Sequence, residues 1–269
     1  MKLEQFTRFD ADERQRLDDL LAYPGQTYGR GATILAEGSR SESIHLVVSG
    51  FAARTKSLAD GTRQTMAFLI PGDLCDVEVF VLEWMDHDIV AIAETRCVLI
   101  PAKKIEALLT ESSNLTRAMW WSTMTESAIL RERIIDHGSR DARQQIAHLF
   151  CEMLIRLRVV GETTDDSFPF PLTQEELGEA TGLTPVHINR VLQQLRAEGL
   201  IQFRDKAVQV LDRRGLMQLA RFEAGYLHLT RTEAKDPEVV GRAGDLVEPA
   251  RDGSLPASLN RARDAVRRS

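Results

Sequence analysis

Hydrophobic positions along this chain change their period several times, and each change marks a segment. Over residues 3–23, Leu3, Phe6, Leu17, Leu20 and Leu21 stand among charges at helical spacing and stop before Pro24-Gly25, which predicts an amphipathic helix flanking a domain. From 33 to 100 the texture becomes short runs of Val, Ile, Phe and Thr, split by Glu37-Gly38-Ser39, Ser49-Gly50, Asp60-Gly61 and Pro71-Gly72. Turn signals at such regular intervals predict antiparallel strands in a small barrel or jelly roll, not alternating β and α units.

After Pro101 the glycines vanish until Gly138, and 102–137 is rich in Leu, Ala, Glu, Met and Arg, so one long helix is predicted. Trp121, Met124, Ala128 and Ile135 recur along it at spacings of three, four and seven, interrupted by Arg131 and Glu132. Two readings of that stripe stand side by side: packing on the β domain, or the seam of a homodimer coiled coil. A second helix over 141–159 has an apolar face formed by Ile146, Leu149, Phe150, Met153, Leu154 and Leu157, and 161–171 is the loop that ends it.

The most informative stretch runs from 172 to 201. Thr173 followed three residues later by Glu176 is a capping box, so a short helix starts at Gln174. Gly182 supplies a tight turn, and Thr184-Pro185 gives the N-cap and first-turn proline of another helix. Leu177, Ala180, Leu183, Ile188, Val191, Leu192 and Leu195 fall where two steeply crossing helices would bury them, with Gly178 small enough for close approach. Gly199 ends the second helix, and 200–203 and 207–211 read as a hairpin turning at Arg204-Asp205-Lys206. Together these predict a winged helix-turn-helix.

Charge sharpens that reading. The 269 residues carry 34 Lys and Arg against 40 Asp and Glu, a net charge of −6, which excludes a globally basic coat for nucleic acid. Even across 172–221 the bases outnumber the acids by only one, so pattern and not charge carries the DNA expectation. Beyond 229 the mixed charge, Gly, Pro and lack of aromatic residues predict a disordered tail, whose end at 259–268 can also form a weak basic helix.

The N-terminal residues mix acids and bases where a signal peptide needs an apolar stretch, and a cytoplasmic location is expected. The apolar windows at 44–53 and 88–102 are broken or bounded by His45, Arg54, Glu94 and Arg96, so no membrane partner is expected. Cys75, Cys97 and Cys151 lie far apart without a C-x-x-C pair, Cys75 and Cys97 read as buried thiols in strands, and a reducing compartment fits. The six histidines show no metal-ligand spacing, so neither a metal nor another cofactor is expected. No nucleophile elbow, phosphate loop, zinc-protease helix or dinucleotide fingerprint occurs, and no enzyme is expected.

A β-rich segment, a long helix and a winged helix-turn-helix in this order resemble the Crp/Fnr transcription regulators over roughly residues 6–224. The most specific parts are TQEELGEATGLTPVHINRVLQQLRAEGLI and the β segment ending in PGDL and TRCVLIPAKKI. The resemblance implies an α+β chain with four parts. These are an N-terminal double-stranded β-helix (jelly-roll-like) effector domain with its helix over 1–101, a dimerisation helix over 102–138, a winged DNA-binding domain over 139–229, and the tail over 230–269. Double-stranded DNA with an inverted repeat, a second copy of the chain and RNA polymerase are the implied partners.

Departures from the family pattern bear on the effector. Members that bind cyclic AMP carry G-E-L-x-L and a later Arg-Ser or Arg-Thr. Here Asp76-Val77-Glu78-Val79 and His87-Asp88 stand instead, so a cyclic phosphate would meet like charge. No typical cyclic nucleotide is expected as effector, and no cysteine precedes Cys75 to hold an iron–sulfur cluster. In the second helix Pro185, Val186, Asn189 and Arg190 are expected to face base edges. Arg190 would pair with guanine and Val186, where the family usually has glutamate, with a thymine methyl. Asn189 can pair with adenine or touch phosphate. Thr173, Gln174, Thr184 and His187, with Arg204 and Lys206 of the wing, are expected at phosphates. The competing reading is a ligand-sensing or protein-interaction module whose helical half docks a protein partner.

Overall fold

A computed structural model describes residues 2–77 and 82–229. The chain opens with a 3-10 turn at Lys2–Gln5, followed by α1 (Ala11–Leu21). The single N-terminal helix expected from the apolar spacing is therefore split. Asp10 is the cause, since its carboxylate accepts the Glu13 amide at 2.8 Å while Glu13 accepts the Asp10 amide at 3.1 Å.

Among the described residues seven strands follow: β1 (Gly25–Tyr28), β2 (Thr33–Leu35), β3 (Ser43–Ser49), β4 (Ala52–Ser57), β5 (Arg63–Leu69), β6 (Asp88–Ala91) and β7 (Thr95–Pro101). They form two antiparallel sheets, ordered β1-β7-β3 and β2-β6-β4-β5. Ile34, Val47, Ala52, Leu69, Ile89 and Cys97 come from both sheets and bury one another, so a core lies between them. The strand period of two sends Ile44, Val98 and Ile100 to the opposite face, against Leu17 and Leu20 of α1 and Leu115 and Met119 further on. The β texture starts earlier than expected, because Gly25 begins a strand on β7 and does not merely end a helix. Cys75 is buried as expected but lies in the loop after β5, not in a strand.

The expected long helix is two: α2 (Ala102–Glu111) and α3 (Ser113–Ser139). Ser112 breaks it with an extended backbone, and its hydroxyl accepts the Leu115 amide at 3.1 Å. Next comes α4 (Ala142–Val159), capped by Asp141 and buried on every side from Gln145 to Leu157. Its apolar face is joined by a buried polar stripe, His148, Glu152 and Arg156, at intervals of one helical turn.

The remainder contains β8 (Ser167–Pro169), α5 (Gln174–Thr181), α6 (Pro185–Ala197), β9 (Ile201–Arg204), β10 (Ala207–Val210), α7 (Arg213–Ala220) and a 3-10 turn at Ala224–Leu227. A third strand thus lies inside the stretch expected to be only a loop, because β8 pairs with β10 on the edge away from β9. The expected disordered tail falls outside the described residues.

Candidate nucleic-acid interface

Helix α5 starts where its capping box requires: Thr173 donates its amide to Glu176 at 2.7 Å, and Glu176 donates its amide to the Thr173 hydroxyl at 3.1 Å. The turn into α6 needs two glycines. Gly182 adopts φ +70°, and a Cβ on Gly178 would lie 2.7 Å from the Leu183 carbonyl oxygen. Thr184 then caps α6 by accepting the His187 amide at 3.3 Å, with Pro185 in the first turn. Ile188, Val191, Leu192 and Leu195 bury the inner face of α6 in the main core.

Its outer face is left to solvent. Pro185, Val186, Asn189 and Arg190 lie together there, and with Gln174 and Gln193 they line an open depression of about 410 Å³. Val186 is 82% exposed, an unusual state for a branched apolar side chain. Arg190 has no carboxylate partner among the described residues. Gln174 and Thr184 are exposed beside this face, His187 is half-buried, and the Thr173 hydroxyl is already bonded to Glu176 at 3.1 Å. Arg204 and Lys206 are exposed at the tip of the β9–β10 hairpin, where Asp205 and Lys206 both take positive φ, at 49° and 59°.

Of the expected effector residues, Asp76, His87 and Asp88 are each engaged within the chain. Asp76 is buried, accepting the His45 amide and bonding the His45 ring, each at 2.8 Å. Val77 packs at the edge of the core under α1 and α2, Asp88 accepts the Glu37 amide at 2.7 Å, and Glu78 lies outside the described residues. His87 is buried against Asp86. Sequence reasoning passed over Arg54 and Glu126, which occupy the space between the β4–β5 sheet and α3. Arg54 donates to the carbonyls of Leu74 and Cys75 at 3.1 and 3.2 Å and to Glu126 at 3.0 Å. Burial pushes the Glu126 carboxyl up despite that partner. The signal was an arginine following three small or aromatic apolar residues in a strand. What space remains there is a cavity of about 20 Å³, room for about one water molecule.

The stripe on α3 is also rearranged. Ala128 is buried, and Trp121 is half-buried against Phe6 and His228, while Met124 and Ile135 are exposed. The outward seam is instead Trp120, Met124, Ser127, Arg131 and Ile134, spaced four, three, four and three. The expected stripe lies most of one residue's rotation, about 100°, toward the body of the chain.

Residues 25–112 match the cyclic nucleotide-binding domain family, and residues 144–219 match the Crp-like helix-turn-helix domain family. The transcriptional activator protein FnrL of Cereibacter sphaeroides is 26% identical over 202 residues, covering 74% of this chain and 80% of the relative. The nitrogen fixation regulation protein FixK of Azorhizobium caulinodans is 24% identical over 212 residues, covering 78% and 85% respectively. The structure of FixK2 from Bradyrhizobium japonicum superposes with a TM-score of 0.66 at 25% identity, covering 73% of this chain and 96% of that one. Among the described residues no helix is long and apolar enough to cross a membrane. With a cyclic-nucleotide-binding-type β domain, a long helix and a Crp-like winged helix-turn-helix in that order, the chain belongs to the Crp/Fnr family of DNA-binding transcription regulators, which are not enzymes.

Proposed function

We propose that this regulator is a homodimer that reads an inverted-repeat promoter site through the exposed face of α6, without a cyclic nucleotide as effector. The observation that carries the proposal is that face: Pro185, Val186, Asn189 and Arg190 stand free of the chain's own core at the N-terminal end of a capped helix. This is where base edges are met when such a helix enters the major groove. Arg190 makes two bonds to guanine O6 and N7, Val186 offers a methyl contact to thymine, and Asn189 pairs with adenine or holds a phosphate. Gln174, Thr184 and His187 beside them, and Arg204 and Lys206 on the wing, fix the register on phosphates. Thr173 has both its amide and its hydroxyl bonded to Glu176 in the capping box, so a phosphate contact there shares a donor with that carboxylate.

Dimerisation follows from the outward seam of α3, where Trp120 and Ile134 are 63% and 71% exposed. Two copies paired along that seam place two α6 helices on one side, with half-sites about one helical turn apart. RNA polymerase is the partner such a dimer meets at a promoter. The effector reading rests on the carboxylates at Asp76, Glu78 and Asp88, which stand where a nucleotide-binding member carries its arginine motif, and the buried Arg54–Glu126 pair leaves only about 20 Å³ between the β4–β5 sheet and α3. Selection from a randomised duplex pool, with purified protein and no ligand, tests the whole. Enrichment of an inverted repeat is the expected outcome; no enrichment, with or without cyclic AMP, sinks DNA reading in favour of protein docking. Calorimetric titration with cyclic AMP and cyclic GMP is expected to show no binding heat.

A further inference from the structure

We propose that the outer face of the β1-β7-β3 sheet carries a second cavity that binds one neutral, predominantly apolar small molecule per protomer. The cavity has a volume of about 520 Å³, within the range of about 300–1,000 Å³ that holds small ligands. Leu46 and Val48 of β3, Leu20 of α1, Leu109 of α2, Met119 of α3 and Val160, just after α4, line it. Folded interiors leave few voids larger than a water molecule, so a half-open space of this size within a packed apolar cluster is not ordinary packing.

The lining chemistry sets the ligand class. Among the described residues, Lys2 and Asp18 are the only charged ones that border the cavity, and no other polar side chain does. The Lys2 ammonium is already committed to Asp73, and Asp18 is exposed to solvent at the rim. An anionic ligand would lose its hydration with the Lys2 ammonium already taken, and a cation would find its counter-charge only at the solvated rim, on Asp18, whereas an uncharged acyl chain or aromatic ring gains by burial. The site is separate from the space between the β4–β5 sheet and α3 that Arg54 and Glu126 close. Its position also matters: Met119 belongs to the helix that carries the outward seam, and Val159 and Val160 end the helix on which the DNA-reading unit is packed. A ligand here touches both halves of the chain, so any preference it has between their arrangements is passed to DNA affinity by the same factor.

The inference extends the effector reading above, but its test needs no DNA, so failure here leaves DNA reading standing and failure of DNA reading leaves the cavity. Full-length protein is titrated with N-phenylnaphthylamine, a neutral probe that fluoresces when it leaves water, and then with decanol as competitor. Saturable binding near one probe per protomer, reversed by decanol and weakened at least tenfold in a Val48→Phe, Leu109→Phe variant of unchanged melting temperature, is the expected result. Unsaturable binding, or equal affinity in the filled variant, overturns the proposal. Should the variant fail to fold, photolysis of wild-type protein with a diazirine-bearing decanol decides: label in peptides of α1 and α2 supports the site, and label confined elsewhere rejects it.

Discussion

Arg190 stands with no carboxylate partner among the described residues, and that makes its expected contribution readable in a single substitution. A bidentate arginine–guanine pair discriminates by about 1–3 kcal/mol, so Arg190→Ala should weaken binding to the selected duplex roughly tenfold to hundredfold. Binding to random duplex and the oligomeric state should stay as they were, as read by fluorescence anisotropy and sedimentation. Val186 gives the complementary test, since glutamate accepts a hydrogen bond from cytosine and valine does not: Val186→Glu should move the preferred neighbour of that guanine toward cytosine in a repeated selection. Asp73 bears on stability instead. Burial raises its carboxyl pKa, but Lys2, Arg156 and the Ile70 amide outweigh that and hold it below the ordinary value. A depressed folded pKa contributes stability that is fully present above the unfolded value of about 3.9 and is lost as pH falls through the folded value. Asp73→Asn should therefore lower the melting temperature at neutral pH and flatten the acid limb of the stability profile, which melts from pH 7 down to pH 2 would show.

At the scale of elements, α3 leaves a row of large apolar side chains uncovered by the described residues. Trp120, Met124 and Ile134 lie on one outward face at heptad spacing. Burial of each such side chain is worth about 1.5–3 kcal/mol and a two-fold seam counts it twice, so Ile134→Asp should weaken dimerisation by a hundredfold or more. Sedimentation velocity at micromolar protein would read this as conversion to monomer, and an unchanged dimer would place the interface elsewhere. How much of each element could be read in advance depended on whether its boundary residues act locally. The winged helix-turn-helix was legible because Thr173, Glu176, Gly182, Thr184 and Pro185 each enforce a cap or turn through their own backbone neighbours. The break at Ser112 was not, because serine is tolerated inside helices and only the bonds to Leu115 and Glu13 make it a cap. The α3 stripe divides for a related reason: Met124 and Ile135 are exposed, whereas Trp121 packs on Phe6 and His228, remote partners that its spacing does not announce. That Asp76 is taken up by His45 of β3 was not legible either, because no local spacing announces the pairing.

Across the whole molecule, the β domain and the DNA-reading unit share one core. Phe51, Phe68, Ile70 and Ile92 from the strands belong to the same buried cluster as Phe150 and Met153 of α4 and Ile188 and Leu192 of α6. Polar ties surround that seam. Arg30, in the turn after β1, donates to the Pro171 carbonyl at 3.0 Å and to Glu176 at 2.6 Å. Arg63 of β5 pairs with Glu179 of α5 at 2.9 Å, and buried Arg156 reaches Asp73 at 2.9 Å. The first helix of the reading unit is thus fastened to the sheet domain, and the fastening leaves the outer face of α6 open. Arg63 is 40% exposed, so its pair is worth only about 0–1 kcal/mol in solvent, and the shared core supplies most of the docking energy. Reversing one charge adds repulsion to that loss, so Arg63→Glu should reduce affinity for the selected duplex about threefold to tenfold and speed proteolysis between the two units. The double reversal Arg63→Glu with Glu179→Arg should restore both, since the two changes couple only through the pair they share. Restoration would make the observed orientation of α5 on the sheet the DNA-competent one. A single reversal that leaves affinity unchanged would mean that the unit moves off the sheet before it meets DNA.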